Sequence, residues 1–372
     1  MKRYVFPVAA ALSVALGAGG ALAGAKPGKS HPAKLKASGP SHVHVAPSLV
    51  PSLAPHPHDW LLAFREVPRK PKPHHAAKPR HAPKAANHRQ APKRQPRPVQ
   101  RLRGTTSIYE HTTKPWVLAE QGCSAAQRHE SGVVVLDFGK PAFKRHGYGT
   151  ILFSGHFALN HQITTGMVGY ARGYVSCLPK GSTASITLAR GTSNYHPHVP
   201  SAYMAGIRWA RATNKLGKIL RRHGLNAHVE SAAADDAEPA WDPHFRKTKH
   251  FFHGFRSAVH GHTLYDYGSL DGGVGKVWSA RQAWYVSGGI RHTQALPEIY
   301  NSDMAQQWAE LARIAHRVYH RDVHFAGVMT QGTSSCRCGF RPHKAHRVLA
   351  HALNAQGIGR TVLPRGATNI IG

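Results

Sequence analysis

Ala227-His228-Val229-Glu230-Ser231-Ala232-Ala233-Ala234-Asp235-Asp236-Ala237-Glu238 is an extended run of small and β-branched residues that ends in three carboxylates. It follows a helical pattern from Ser201 to His223, which carries Ile207, Leu216, Ile219 and Leu220 and stops at Gly224. The same unit recurs on both sides. Apolar runs that read as strands are Val133–Asp137, Ser185–Ala189, Thr263–Tyr267, Ala283–Val286, Leu296–Tyr300 and Val323–Val328. After the N-cap cluster Asn301-Ser302-Asp303, Met304, Trp308, Leu311, Ala315 and Val318 fall at helical spacing, and a further helix follows Arg341 to about Ala355. Strands alternating with helices in this way predict a parallel α/β fold. The number of units fits a (β/α)8 barrel, with the eighth strand unassigned, and no glycine fingerprint follows Leu136-Asp137-Phe138-Gly139-Lys140 to favour an open doubly wound sheet.

Outside this region the composition changes. The 372 residues carry 49 Lys+Arg against 17 Asp+Glu, a formal net charge of +32, with 30 His, 26 Pro and 4 Cys. A hydrophobic content of 41% is enough for a buried core and excludes a wholly disordered chain. Four Cys exclude a disulfide scaffold. Lys2 and Arg3, an apolar run from Tyr4 to about Leu16, and Ala21-Leu22-Ala23 have the form of an export signal, here assigned to residues 1–25, with cleavage after Ala23 or Ala25. Residues 26–104 hold 17 Lys+Arg and only two acids, Asp59 and Glu66, among many Pro, His and Ala. Such a segment cannot bury enough apolar surface to offset its ordering entropy, so a disordered basic linker is expected, followed by one α/β barrel over 105–372. The chain is thus expected to be secreted, extracellular or wall-associated, and monomeric. No span is expected in the mature chain. The linker suits anionic wall polymers; it lacks the interleaved aromatics of a single-strand platform, and no specific nucleic acid is expected.

Only 15 acids remain after residue 104, so their placement carries information. Asp137, Asp235-Asp236-Ala237-Glu238, Asp266 and Glu298 lie at or near the C-terminal ends of predicted strands, which in a barrel meet at one mouth. In an extended chain Asp236 and Glu238 point to the same face about 6.7 Å apart. Mutual repulsion and burial would raise the pKa of one, leaving an acid beside an ionised partner, the division of labour that glycoside cleavage requires. The alternative is that Glu238-Pro239-Ala240-Trp241-Asp242 opens the next helix and its acids complement the dipole. Trp241, Tyr265, Tyr267, Trp278, Trp284 and Tyr285 lie near strand ends, where they would stack on sugar faces or pack in the core. Gly268-Ser269-Leu270-Asp271-Gly272-Gly273 reads as a loop able to form a lid or subsite.

The order Leu136-Asp137-Phe138-Gly139, Ala234-Asp235-Asp236-Ala237-Glu238-Pro239, Leu264-Tyr265-Asp266-Tyr267, Trp284-Tyr285-Val286 and Val328-Met329-Thr330-Gln331 resembles the barrel of lysozyme-like glycoside hydrolases of family twenty-five and related secreted bacterial domains. The resemblance implies catalytic roles for Asp137, Asp236 and Glu238, with Glu238 as the acid, and an aromatic strand closing the groove. Asp235, Trp241, Tyr265, Asp266, Trp284, Tyr285, Glu298 and Gln331 are the expected substrate contacts. The chain departs from the pattern in the additional Asp235, in Leu296-Pro297-Glu298-Ile299-Tyr300-Asn301, and in a long segment between its first two predicted strands. A glycoside-hydrolase-like protein acting on cell-wall peptidoglycan or another polysaccharide is expected; the alternative is a non-catalytic wall-binding barrel held by its tail.

Other chemistry has weaker footing. His316 and His320 have helical i,i+4 spacing but no Glu after the first His, and His196-Pro197-His198 and His260-Gly261-His262 lack a third ligand in sequence. Cys336-Arg337-Cys338 with His343 and His346 could hold zinc, but an export route favours disulfides. Four Cys allow three connectivities; Cys123 with Cys177 is the expected bridge, leaving Cys336 and Cys338 to each other or free. Neither cofactor nor metal is expected, and no Gly-x-Ser-x-Gly elbow supports a serine hydrolase.

Overall fold

The computed structural model describes residues 103–196, 199–332, 339–358 and 363–372. The export signal, nearly all of the basic linker, and Cys336 and Cys338 lie outside these ranges. In chain order the elements begin β1 (Arg103–Tyr109), α1 (Pro115–Gln127), β2 (Gly132–Asp137), β3 (Lys140–Lys144), β4 (Gly147–Ile151), β5 (Phe157–Leu159) and α2 (Asn160–Cys177). They continue with β6 (Ile186–Ser193), α3 (Ala202–Arg222), β7 (Val229–Asp236), α4 (Arg246–Ala258), β8 (Leu264–Asp266) and α5 (Ala280–Trp284). The last are β9 (Thr293–Ala295), α6 (Ser302–Val318), β10 (Val328–Thr330), α7 (Pro342–Ala355) and β11 (Gly366–Ile371).

Eight strands form one parallel sheet in the order β10-β11-β1-β2-β6-β7-β8-β9. Its two edges meet. Single parallel bridges join Ala295 to Phe325 and Glu298 to Met329, with Ala295 N–H donating to His324 O at 2.8 Å and Met329 N–H to Pro297 O at 2.9 Å. The closed order follows the chain, so the fold is a (β/α)8 barrel of the TIM type. Alternation along each strand separates two environments. Val135, Ala189, Ala232, Ala234, Tyr265, Tyr267, Leu296, Met329 and Ile370 fill the interior, while Val134, Leu136, Phe138, Leu188 and Ala233 face the helices. Along β7 this puts Ala232, Ala234 and Asp236 inside, and Ala233, Asp235 and Ala237 outside.

A small antiparallel sheet, β3-β4-β5, occupies the long segment between β2 and α2. Its anchor is Gly139, at φ +77°, whose carbonyl accepts from the Thr192 hydroxyl at 2.8 Å. Next to it α1 and α2 pack backbone to backbone, because a Cβ on Gly169 or Gly173 would collide with the α1 carbonyls of Pro115 or Ala119. Cys123 of α1 and Cys177 of α2 form a disulfide, Cα to Cα 5.1 Å; a bridge closing a loop of this size contributes about 2–4 kcal/mol. The fully buried Arg190 of β6 donates to the Thr164 hydroxyl at 2.9 Å and to Asn160 O at 2.8 Å, with its guanidinium over the Trp209 ring at 4.3 Å. It thereby ties the start of α2 to α3 without a carboxylate partner.

Three expectations about elements change. Ala283–Val286 is helical: Ser279 caps α5 by accepting from Gln282 N, and the helical turn continues past Tyr285 until Gly288, at φ +152°, breaks it. Ala283, Val286, Ser287 and Ile290 are the buried positions there, linked by steps of three and four residues. Leu296–Tyr300 and Val323–Val328 contribute the closing bridges, and the ladders themselves are the neighbouring β9 and β10. The two strands that complete the barrel are β1 and β11, neither of which was read from sequence. Their interior positions include Ser107 and Thr368, hydrogen-bonded to each other at 2.8 Å, so hydroxyls interrupt the apolar alternation that Tyr109 and Ile370 would otherwise show.

Candidate active site

The β strands deliver four carboxylates to the C-terminal mouth on interior-facing positions. Asp137 ends β2 at the position following Val133 and Val135, and Asp236 ends β7 two residues beyond Ala234. Glu238 keeps an extended backbone, φ −101° and ψ 131°, before a single 3-10 turn at Pro239–Trp241, so it shares the face of Asp236. Glu298 follows Leu296 by the same step, beyond β9. All but Glu238 are buried, at 2% exposure for Asp137, 8% for Asp236 and 5% for Glu298; Glu238 is half-buried and is the most accessible of the four. Glu238 therefore continues the strand's face, whereas Asp242 accepts from Thr248 N at 2.8 Å in the first turn of α4, so the reading in which acids open the next helix holds for Asp242 and not for Glu238.

Burial raises all four pKa values, and repulsion from neighbouring carboxylates adds to it at Glu238, Asp236 and Glu298. Loss of water pushes Glu238 up to about 7, helped by the charge of Asp271 and opposed by the Ser269 hydroxyl. Burial raises Asp137 to about 6, with the Gly139 N–H, 2.8 Å away, and the Tyr267 hydroxyl favouring its ionised form. Asp236 is held well above the carboxylate range by burial and then by Glu238, Glu298, Asp137 and Asp235. Glu298 is raised by burial and by Glu238, against the hydrogen bond it accepts from Tyr300. Among the described residues no Lys, Arg or His acts on these four. The site thus combines an Asp137 that ionises through about 6 and a Glu238 that does so through about 7 with an Asp236 and a Glu298 that hold their protons more strongly than ordinary carboxylates.

Neighbouring elements position the pair on β7. Asn194, fully buried at the end of β6, clamps the backbone of Glu238: its side-chain amide donates to Glu238 O at 2.9 Å and accepts from Glu238 N at 3.1 Å. The Asn194 N–H also donates to Asp236 O at 3.1 Å. From the loop after β8, the Ser269 hydroxyl bridges Glu238 Oε1 at 3.2 Å and Asp271 Oδ1 at 3.0 Å. Gly268 fits against β7 because a Cβ there would press on the Ala237 backbone. Aromatic rings stand on two sides of the rim. Phe153, 41% exposed, packs on Tyr109 with centroids 4.7 Å apart, and Tyr109 accepts from Gln331. Tyr195 and Trp241, 41% and 38% exposed, lie 6.5 Å apart beside Glu238.

The sequence-derived residues divide accordingly. Asp137, Asp236, Glu238, Glu298 and Gln331 come together at the mouth, and Trp241 stands on its rim. The remaining expected contacts lie elsewhere. Asp235 and Asp266 are cross-strand partners on the outer face, 0% and 2% exposed, where the Ser287 hydroxyl donates to Asp266 at 2.7 Å. Strand alternation turns them away from the pocket. Tyr265 points inward but toward the opposite end of the barrel, with its hydroxyl near Thr187 and Glu230. Trp284 stacks on Tyr319 between helices, and Tyr285 meets Phe245 edge-on at 5.6 Å. As helical residues they form no aromatic strand over the groove.

Ser269 comes from the loop expected to form a lid or subsite; Tyr109, Tyr300, Asn194 and Phe153 belong to the site without having been singled out from the sequence. Tyr109 sits in the unrecognised β1, and Asn194 acts through main chain, which leaves no pattern in sequence. Among the described residues no group of three or more His, Cys, Asp or Glu could hold a metal. His316 pairs with Asp322 at 2.7 Å, His196 is buried on Asn194 O at 2.7 Å, and the His262 ring meets Ser231 O at 2.8 Å. Pro197 and His198 lie outside the described residues. No helix among the described residues is long and apolar enough to cross a membrane.

No family model matches the sequence, and no curated protein matches it. Among solved structures the chain is similar to one reported as a thermostable and highly halotolerant GH5 cellulase from an Icelandic hot spring isolate, at 11% identity and a TM-score of 0.40, covering 73% of this chain and 75% of that one. The fold assignment rests on the strand order and the hydrogen bonds that close the sheet: this chain is a (β/α)8 barrel with a carboxylate-lined mouth.

Proposed function

We propose that the protein is a glycoside hydrolase acting on a polysaccharide, with cell-wall peptidoglycan the first substrate to test. The observation that carries this reading is the convergence of Asp137, Asp236, Glu238 and Glu298 on one interior face at the barrel mouth, between exposed rings. Glu238, raised to about 7 and the most accessible, is the general acid/base that protonates the leaving glycosidic oxygen. Asp137 supplies the ionised carboxylate facing the positive charge that develops at the sugar, and Asp236 supports both. Phe153 on one side, and Tyr195 with Trp241 on the other, offer faces on which sugar rings stack. Export by residues 1–25 and retention on anionic wall polymers by residues 26–104 place the barrel beside such a substrate.

Full-length protein incubated with peptidoglycan and a panel of neutral polysaccharides should release reducing ends, and Glu238→Gln should lower the rate by about 10³-fold or more. Glycan retention without reducing ends, unchanged by Glu238→Gln, would instead identify a binding barrel.

A further inference from the structure

Neither α3 nor α4 contains an Asp or a Glu. On α3 the exposed cations Arg208, Arg211, Lys215, Lys218 and Arg222 follow one another at steps of three and four residues. At 100° per residue they fall within an arc of about 80° and extend along about 21 Å of one helix face. Adjacent members are like-charge i,i+3 and i,i+4 neighbours, an arrangement that costs a helix a few tenths of a kcal/mol per pair. Neither of the two ion pairs among the described residues involves α3 or α4.

The neighbouring α4 extends the strip with exposed Arg246, Lys249 and Arg256. The two helices touch closely, since a Cβ on Gly206 would collide with Phe251 O and one on Gly254 with Tyr203 O. Beyond α4 lies a groove lined by His244, Arg246, Lys249, His250, Arg281 and Tyr285, with no acid on its walls. The surface therefore offers a row of cations on α3, further cations on the adjoining α4 and a basic groove beside α4, on the outside of a barrel whose mouth is acidic.

We propose that the outer faces of α3 and α4 and this groove bind a linear, base-free phosphodiester polymer, of the polyol-phosphate kind. Cation spacing of about 5 Å along α3 suits successive phosphates of an extended chain. Its lack of bases follows from the surface: single-stranded nucleic acid is held by stacking on exposed rings, and the well-exposed rings, Trp116, Phe153, Tyr195 and Trp241, are all off α3 and α4. The inference is independent of catalysis at the mouth.

The test compares full-chain variants binding poly(glycerol phosphate) across a salt series. Arg211→Glu, Lys215→Glu and Lys218→Glu together should weaken binding by about tenfold or more and lower the slope of log K against log salt by about 2. A charge-matched control, Arg317→Glu, Arg321→Glu and Arg347→Glu on exposed positions elsewhere, should change both far less. Equal losses in the two variants would overturn the proposal in favour of bulk charge. Tighter binding of oligo(dT) or duplex DNA than of poly(glycerol phosphate) at equal charge would overturn the choice of occupant. Should the triple Glu variant fail to fold, the same three positions changed to Gln give the same readout.

Discussion

Glu238 and Asp137 differ in what surrounds them, and that difference separates the roles proposed for them. Asp137 ionises through about pH 6 because the Gly139 N–H and the Tyr267 hydroxyl partly offset its burial. Glu238 loses its proton only through about pH 7. For a mechanism needing Asp137 ionised and Glu238 protonated, activity should rise as pH climbs through about 6 and fall as it passes about 7. The predicted profile is therefore a narrow bell with its maximum between these values, measured as kcat/KM for reducing-end release. Activity that is flat from pH 5 to 9 would remove the assigned pair. The placement of these two acids and of Asp236 was legible in sequence, because each ends an apolar run. Asp235 and Asp266 carried the same signal and face the opposite way, since one step along a strand reverses the side chain.

At the scale of elements, the end of β6 holds the end of β7. Asn194 makes three hydrogen bonds to the main chain of Asp236 and Glu238, and its amide also donates to the Thr248 hydroxyl of α4 at 3.0 Å. Asn194→Ala should lower kcat by about tenfold or more with a smaller change in KM, while Asn194→Asp, which keeps one acceptor for Glu238 N, should retain more activity. Equal kcat in wild type and Asn194→Ala would show that the clamp does not position the acid. Strands and helices with strong apolar patterns, such as β2 and α6, could be read from sequence. The β1–β11 seam could not, because Ser107 and Thr368 interrupt its interior apolar positions, and the aromatic Trp284-Tyr285-Val286 mimics a strand while its buried residues keep helical spacing.

Across the whole molecule, charge is sorted by location. The folded region's scarce acids concentrate at the mouth and just behind it, while α3 and α4 carry cations alone. Burying carboxylates costs stability once they ionise. Because the folded pKa of Asp137 lies above its unfolded value, the native state binds more protons between about pH 4 and 6, and stability falls as pH rises through that window. Asp137→Asn, which retains an acceptor for Gly139 N, should therefore be more stable than wild type by about 2–3 kcal/mol at pH 7 and equal to it near pH 3.5, read from denaturant midpoints. A lower midpoint for Asp137→Asn at pH 7 would contradict this balance. The central claim is that chemistry belongs to the carboxylates inside the mouth and not to those behind it. Reducing-end release by Glu238→Gln and Asp235→Asn, measured side by side on the same glycan, tests it most directly. The account predicts near-complete loss for Glu238→Gln with activity within about tenfold of wild type for Asp235→Asn; an active Glu238→Gln beside an inactive Asp235→Asn would contradict it.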